Sequence, residues 1–275
     1  MSAGDSLHYL EIMNVPDWLR EILFRTAWPM EAPAMFGPFH IFMLILCTAV
    51  PYFLAKHSPI RNKQLLVKRL SVCGWILAIT EVYKQLFYYV VVNNMHYDFW
   101  FFPFQLCSAA MYLCILLPVF HGRMQKAMIT FLYSFSLPGA LLALVFPEDM
   151  LRTWWTMTIH GFFWHAMLVY IAFIVFYSGQ MDDSDRGFRE STLLYILLGT
   201  VAFVLNIVLR PFAVYGFKPN LFYLSPYEKS GQFFFALIAE RFGIPAELIL
   251  YVLLYILLCY TFHLIARKNQ PNLTT

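Results

Sequence analysis

Seven apolar segments divide this chain, roughly Met35 to Lys56, Val72 to Val92, Phe101 to Phe120, Lys126 to Phe146, Thr153 to Tyr177, Thr192 to Phe212 and Ala246 to Ala266. Each is close to the ~20 residues that an α-helix needs to cross a bilayer core. In hydrocarbon the backbone must satisfy its own hydrogen bonds, which here favours helices over strands. The fold class is therefore all-α: a polytopic membrane protein built as a seven-transmembrane-helix bundle. Composition agrees, because 60% hydrophobic and 13% charged residues leave too little polar surface for a soluble domain. The net charge of +3 is small and scattered, so no nucleic acid partner is expected. Cys47, Cys73, Cys107, Cys114 and Cys259 all lie in or beside apolar spans without CxxC spacing, so neither a disulfide framework nor a metal site is expected, and no cofactor.

Lys and Arg orient the bundle. The connections after the first, third and fifth segments and the C-terminus hold eleven, the other side six, and Lys84 and Arg210 lie within or near spans. By the positive-inside rule the N-terminus is outside and the C-terminus inside a cell membrane crossed several times. Residues 1–34 carry five acids, unlike a signal or transit peptide, and read as an external interfacial segment. Within them Trp18, Leu19, Ile22, Leu23 and Phe24 recur at helical spacing opposite Arg20, Glu21 and Arg25. Residues 35–266 form the transmembrane domain and 267–275 a cytoplasmic tail. No repeat of 20 to 50 residues is visible. Between Gly216 and Pro245 runs an external loop with the short apolar stretch Phe233 to Ala239, an interfacial or re-entrant helix placed to cover an outward-facing pocket.

Polar groups inside the spans gather at one depth. At ~1.5 Å per residue, Cys107 lies ~10 Å from the external end of its helix, with Gln105 just above it in the same span. Lys84 lies at ~12 Å, His160 at ~10 Å, Asn206 at ~9 Å and His40 at ~8 Å, with Glu81 and His165 near ~17 Å. A polar group in hydrocarbon must find a partner or cost a few kcal/mol, and five helices share this layer. Bland readings stand beside the functional one. Glu81 and Lys84, three apart, would simply neutralise one another; Cys107 alone would be a packing thiol. Asn206, Ser134 and Ser136 would ordinarily be interhelical hydrogen-bonders. Arg210 would snorkel or hold a lipid phosphate. His160 and His165 are five apart, about 140° around a helix, which is not the i, i+4 zinc arrangement.

The succession Phe36-Gly37-Pro38-Phe39-His40, Glu81, Phe102-Pro103-Phe104-Gln105-Leu106-Cys107, Leu137-Pro138-Gly139-Ala140, a histidine before an aliphatic run in the fifth segment, Asn206, and Asn220-Leu221-Phe222-Tyr223-Leu224 is similar to the YwaF-like family of bacterial membrane proteins. That family is related to animal transmembrane protein 164, and the likeness covers nearly the whole chain after residue 34. It implies a seven-helix bundle and, from the animal branch, a lipid acyltransferase using a cysteine and a histidine, which fall here on Cys107 and His165. Depth favours His160, so both histidines stay candidates. Gln105 departs from the pattern, since many members carry histidine there.

Two functions follow from these residues. In the first, an acyltransferase or acyl hydrolase acts on outer-leaflet phospholipid: a histidine takes the Cys107 proton and the thiolate forms an acyl thioester. Gln105, Asn206 or Lys84 donates to the oxyanion; Glu81, His40, Asn220 and Tyr223 complete the substrate-binding set. In the second, the same polar layer binds a ligand without chemistry, as a small-molecule or lipid transporter or sensor. A structural scaffold is the third and blandest option.

Overall fold

The structure, a computed structural model, describes residues 15–216 and 218–271. The first fourteen residues of the external segment and the last four of the tail lie outside the described residues. What is described is all-helical, with no strand beyond one isolated antiparallel bridge from Pro29 to Trp154.

Helix α1, Asp17–Arg25, is the amphipathic helix expected from its spacing. Leu23 is buried against Phe87, Tyr88, Val90 and Met157, while Trp18, Ile22 and Phe24 face outward. The segments that follow fold as α2, Pro38–His57; α3, Lys63–Phe87; α4, Leu106–Leu116; α5, Gly122–Ser134; α6, Ser136–Val145; α7, Trp155–Ser178; and α8, Asp185–Leu209. The short helix expected between Gly216 and Pro245 is α9, Phe233–Phe242, and α10, Ile244–Asn269, closes the chain. Start signals are local. Pro38 opens α2, Asn62 accepts the Leu65 N–H at 3.0 Å to cap α3, and Ser184 accepts that of Gly187 at 3.2 Å to cap α8.

Five helical spans are long and apolar enough to cross a membrane: Pro38–His57, Gly122–Val145, Trp155–Ser178, Asp185–Phe212 and Ile244–Asn269. Two of the seven expected crossings differ. Helix α3 has 25 residues, but Glu81, Lys84 and Gln85 burden its far half. Helix α4 has 11, about 16 Å of helix against a core of about 30 Å. The reason lies in Phe101 to Gln105, which the apolar run had assigned to the helix. Pro103 disfavours the helical region for the residue before it, and Gln105 is extended, at φ −82° and ψ 164°. Gln105 is therefore the residue that precedes the helix and does not sit above Cys107 inside it.

Helix α7 is the hub. It packs against α2, α3, α5 and α6, α3 lies along α4, α5 along α8, and α9 along α10. Buried residues line α7 on every side, from Met157 to Ser178. Two close approaches depend on glycine. A Cβ at Gly74 would stand 2.8 Å from that of Cys114, where α3 crosses α4. A Cβ at Gly139 would stand 2.7 Å from the Tyr255 hydroxyl. Between α5 and α6 the helix gives way at Phe135: Pro138 brings no N–H to the Ser134 carbonyl four residues back, and Tyr255 donates to the neighbouring Phe135 carbonyl at 2.6 Å.

Candidate functional site

The expected site residues separate into two groups with different tasks. Gln105, Asn206, Asn220 and Tyr223 belong to a clamp on the loop between α8 and α9. Asn206, buried on α8, donates to the Leu221 carbonyl at 3.1 Å and accepts the Leu221 N–H at 2.7 Å. Gln105 accepts the Phe222 N–H at 3.1 Å and donates to the Trp100 carbonyl at 3.0 Å. Asn220 accepts the Ser225 N–H at 3.0 Å, and the Tyr223 hydroxyl donates to Asp149 at 3.2 Å. These bonds hold Phe222 and Tyr223 at φ 57° and 55°, a left-handed backbone that non-glycine residues adopt at a cost of about 1–2 kcal/mol each. Phe222 is buried and stacks on Phe104 at 5.8 Å. The amides of Gln105 and Asn206 are thus tied by backbone partners into the clamp.

His40 leaves the site on the same accounting. Its Nδ1 accepts the Phe36 N–H at 2.9 Å, closing the turn before α2, and its Nε2 donates to the Leu144 carbonyl at 2.8 Å, tying α2 to α6. Arg210 neither snorkels nor waits for a phosphate: it pairs with Glu228 at 2.6 Å and lies over the Tyr227 ring at 4.3 Å.

The second group surrounds one ammonium. Lys84 on α3 pairs with Glu81 at 2.8 Å and stands 6.0 Å from the Phe101 ring and 5.9 Å from the Trp164 ring. Its charge acts on Cys107, His160 and His165, and that of Glu81 acts on Cys107. Glu81 also accepts from Gln85 at 2.7 Å, and Gln85 in turn takes the Tyr97 hydroxyl at 2.8 Å and donates to the Phe101 carbonyl. Burial of Tyr97 and Asp98 in the loop above holds both side chains above their ordinary pKa. Helices α3, α4 and α7 therefore bring Glu81, Lys84, Cys107, His160 and His165 into one neighbourhood.

Each histidine in this group keeps one nitrogen free. His165 donates from Nδ1 to the Gly161 carbonyl at 2.8 Å, which leaves the lone pair on Nε2, the far tip of the ring. His160 donates from Nε2 to the Thr80 carbonyl at 3.1 Å, which leaves it on Nδ1, next to its own backbone. No hydrogen bond joins Cys107 Sγ to either ring. Cys107, Lys84 and His160 stay partly accessible, whereas Glu81 and His165 are buried. Trp164, between the histidines, is the residue that sequence reasoning missed. An indole in an aromatic-rich span carries no signal until its neighbours are known. Above the clamp opens a cavity of about 370 Å³, lined by Trp100, Lys218, Asn220, Glu228 and Lys229 among others.

The model of the TMEM164 family matches residues 35–266, the whole helical domain. No curated protein and no solved structure matches the chain.

Proposed function

The chain belongs to the TMEM164 family and is a multi-pass membrane protein, and from that premise we propose that it is a lipid acyltransferase or acyl hydrolase working through Cys107 and His165. In this reading the bundle makes seven crossings of the cell membrane, with the N-terminus outside, and α4 completes its crossing with the extended Phe101–Gln105 segment. The acyl donor is an outer-leaflet phospholipid, with its headgroup in the 370 Å³ cavity between Lys218 and Lys229.

His165 Nε2 takes the thiol proton of Cys107. The thiolate attacks the ester carbonyl of the donor, the C–O bond to the glycerol breaks, and the lysolipid leaves with the proton that the imidazolium returns. An acyl thioester remains on Cys107. Attack by an alcohol or by water then releases the acyl group and restores the thiol. Lys84 is the cation placed for the developing oxyanion, an effect commonly worth about 3 kcal/mol per donor. The observation that carries this reading is the free Nε2 of His165, a lone pair at the reaching end of a buried ring in the field of the ammonium that also acts on Cys107. Bases and nucleophiles often close to hydrogen-bond distance only around substrate.

Turnover of a labelled phospholipid by purified, reconstituted protein tests it. Cys107→Ala and His165→Ala should abolish turnover and His160→Ala should retain most of it; full activity in Cys107→Ala refutes the nucleophile. The second reading, ligand binding or transport without chemistry, draws on the buried Glu81–Lys84 pair. It predicts loss of function in Glu81→Gln and tolerance of Cys107→Ser, the reverse of the enzyme.

A further inference from the structure

Helix α1 is fastened where one long helix ends and another begins. The Trp28 carbonyl accepts the Trp155 N–H at 2.9 Å and the Met30 N–H donates to the Thr153 carbonyl at 2.8 Å, so the chain leaving α1 is fixed at the start of α7. Thr26 ties α1 to both helices: its hydroxyl pairs with the Tyr83 hydroxyl of α3 at 2.6 Å, and its carbonyl accepts the Thr156 hydroxyl of α7 at 3.0 Å. Leu23 packs between them, against Phe87, Tyr88 and Val90 at and beyond the end of α3 and Met157 in α7. Helix α7 is long and apolar enough to cross a membrane. Its first turn therefore marks the boundary between hydrocarbon and water, and these contacts set α1 at that level. Other exposed aromatics share it. Phe36 before α2 meets Phe146 after α6 at 6.4 Å, and Phe39 in α2 meets Trp155 at the head of α7 at 5.6 Å; Phe36, Phe146 and Trp155 are exposed, as in the aromatic belts of membrane proteins.

The flanks of α1 differ. At about 100° per residue, Leu19 and Leu23 share the flank packed on the protein. About 100° around from them, Trp18 and Ile22 form a bare apolar stripe one turn apart. Arg25, next to Trp18 on the cylinder, is paired with Glu21 at 2.7 Å. Arg20 lies about 180° from the stripe, where with Asp17 and Met95 it borders a cavity of about 300 Å³. Phe24, although apolar and exposed, falls between Asp17 and Arg20 on that polar flank.

We propose that Trp18 and Ile22 are a docking stripe for a lipid surface. Both side chains enter the boundary between headgroups and acyl chains of a phospholipid bilayer, Arg20 and Phe24 stay in water, and α1 clasps the end of α3 and the start of α7 to that surface. Lipid is the occupant because the stripe stands at the level of the aromatic ring around α2, α6 and α7, where a bilayer already meets the protein. The clasp bears on the helices of the Lys84 cluster, since its partner Tyr83 directly precedes Lys84 in α3 and α7 carries His160 and His165. The docking itself is independent of the acyl-transfer reading.

The test is site-directed spin labelling of the full-length protein in phosphatidylcholine nanodiscs. Trp18→Cys, Arg20→Cys, Ile22→Cys and Phe24→Cys each place a single label on an exposed position, in a Cys107→Ala background because Cys47, Cys73, Cys114 and Cys259 are buried. Power saturation with oxygen, which concentrates in lipid, and with a water-soluble nickel chelate reads the depth of each label. Labels replacing Trp18 and Ile22 should lie about 5–10 Å into the boundary, and labels replacing Arg20 and Phe24 should lie above the phosphates. Equal access of the nickel chelate to all four overturns the proposal. Labels replacing Trp18 and Ile22 that are immobilised and shielded from both reagents overturn it too, since a second copy or another protein would then cover the stripe. Should Trp18→Cys fail to fold, Ile22→Cys against Phe24→Cys decides: the two native side chains are 50% and 51% exposed and differ in flank.

Discussion

Replacing Asn206 with leucine removes the clamp on the loop between α8 and α9 while keeping the side-chain volume close. Leu221 is fully buried, and both of its backbone groups find their partner in the Asn206 amide, at 2.7 and 3.1 Å. Each group left unpaired in that position costs about 1–3 kcal/mol, so the closed loop loses about 2–6 kcal/mol. The left-handed backbone at Phe222 and Tyr223 adds to the drive to open. With 1.4 kcal/mol per factor of ten, the open population rises by at least about thirtyfold. Hydrogen exchange followed by mass spectrometry reads this at the Leu221 and Phe222 amides, whose protection should fall by that factor while α7 stays protected. Asn206→Asp, which keeps the acceptor and loses the donor, should fall between. Wild-type protection at Leu221 in Asn206→Leu would refute the clamp.

Lys84→Met should lower stability by about 3–5 kcal/mol, because it leaves Glu81 buried and uncompensated, and Glu81→Gln in the same chain should restore much of the loss in thermal unfolding. Gly139→Ala places a methyl against the Tyr255 hydroxyl and should cost about 1–3 kcal/mol; Tyr255→Phe should relieve the clash but lose the hydrogen bond to the Phe135 carbonyl, so rescue will be partial. Between α7 and α8, burial pushes Asp182 up, but the two Ser184 hydrogen bonds and Lys126 outweigh it and hold the carboxyl below its ordinary pKa. A depressed carboxyl contributes stability that is present above the unfolded value of about 4 and lost as pH falls through the folded one. The melting temperatures of wild type and Asp182→Asn should therefore differ at pH 7 and converge below about pH 4.

The long-range pattern of this protein is written in its hydropathy. Apolar runs of about twenty residues fix where α2, α7, α8 and α10 lie, and amphipathic spacing gives α1, because lipid and water select on periods that one sequence displays. The short helix α9 was legible for the same reason. Where single backbone groups decide, the sequence is silent. Pro103 and Gln105 shorten α4 against an unbroken apolar run, and Pro138 splits a span beside which a tyrosine 120 residues away bonds the Phe135 carbonyl. Depth put Lys84, Cys107 and His160 at one level and Glu81 and His165 deeper, with nothing to separate them from Gln105, Asn206 and His40. It could not see that Gln105, His40 and Asn206 each also bond a backbone group 117, 104 and 15 residues away in sequence. Trp164 escaped for the complementary reason: what marks it is a buried indole N–H without a partner.

The central claim is a covalent one, and the most direct measurement is of the covalent bond. Purified protein in lipid is mixed with a phospholipid carrying an isotopically labelled acyl chain, quenched in acid, digested and analysed by mass spectrometry. The account predicts the labelled acyl mass on the peptide containing Cys107, removable by hydroxylamine, absent in Cys107→Ala, and strongly reduced in His165→Ala. Labelled lipid products formed at the wild-type rate by Cys107→Ala, with no acyl group on that peptide in the wild type, would contradict it.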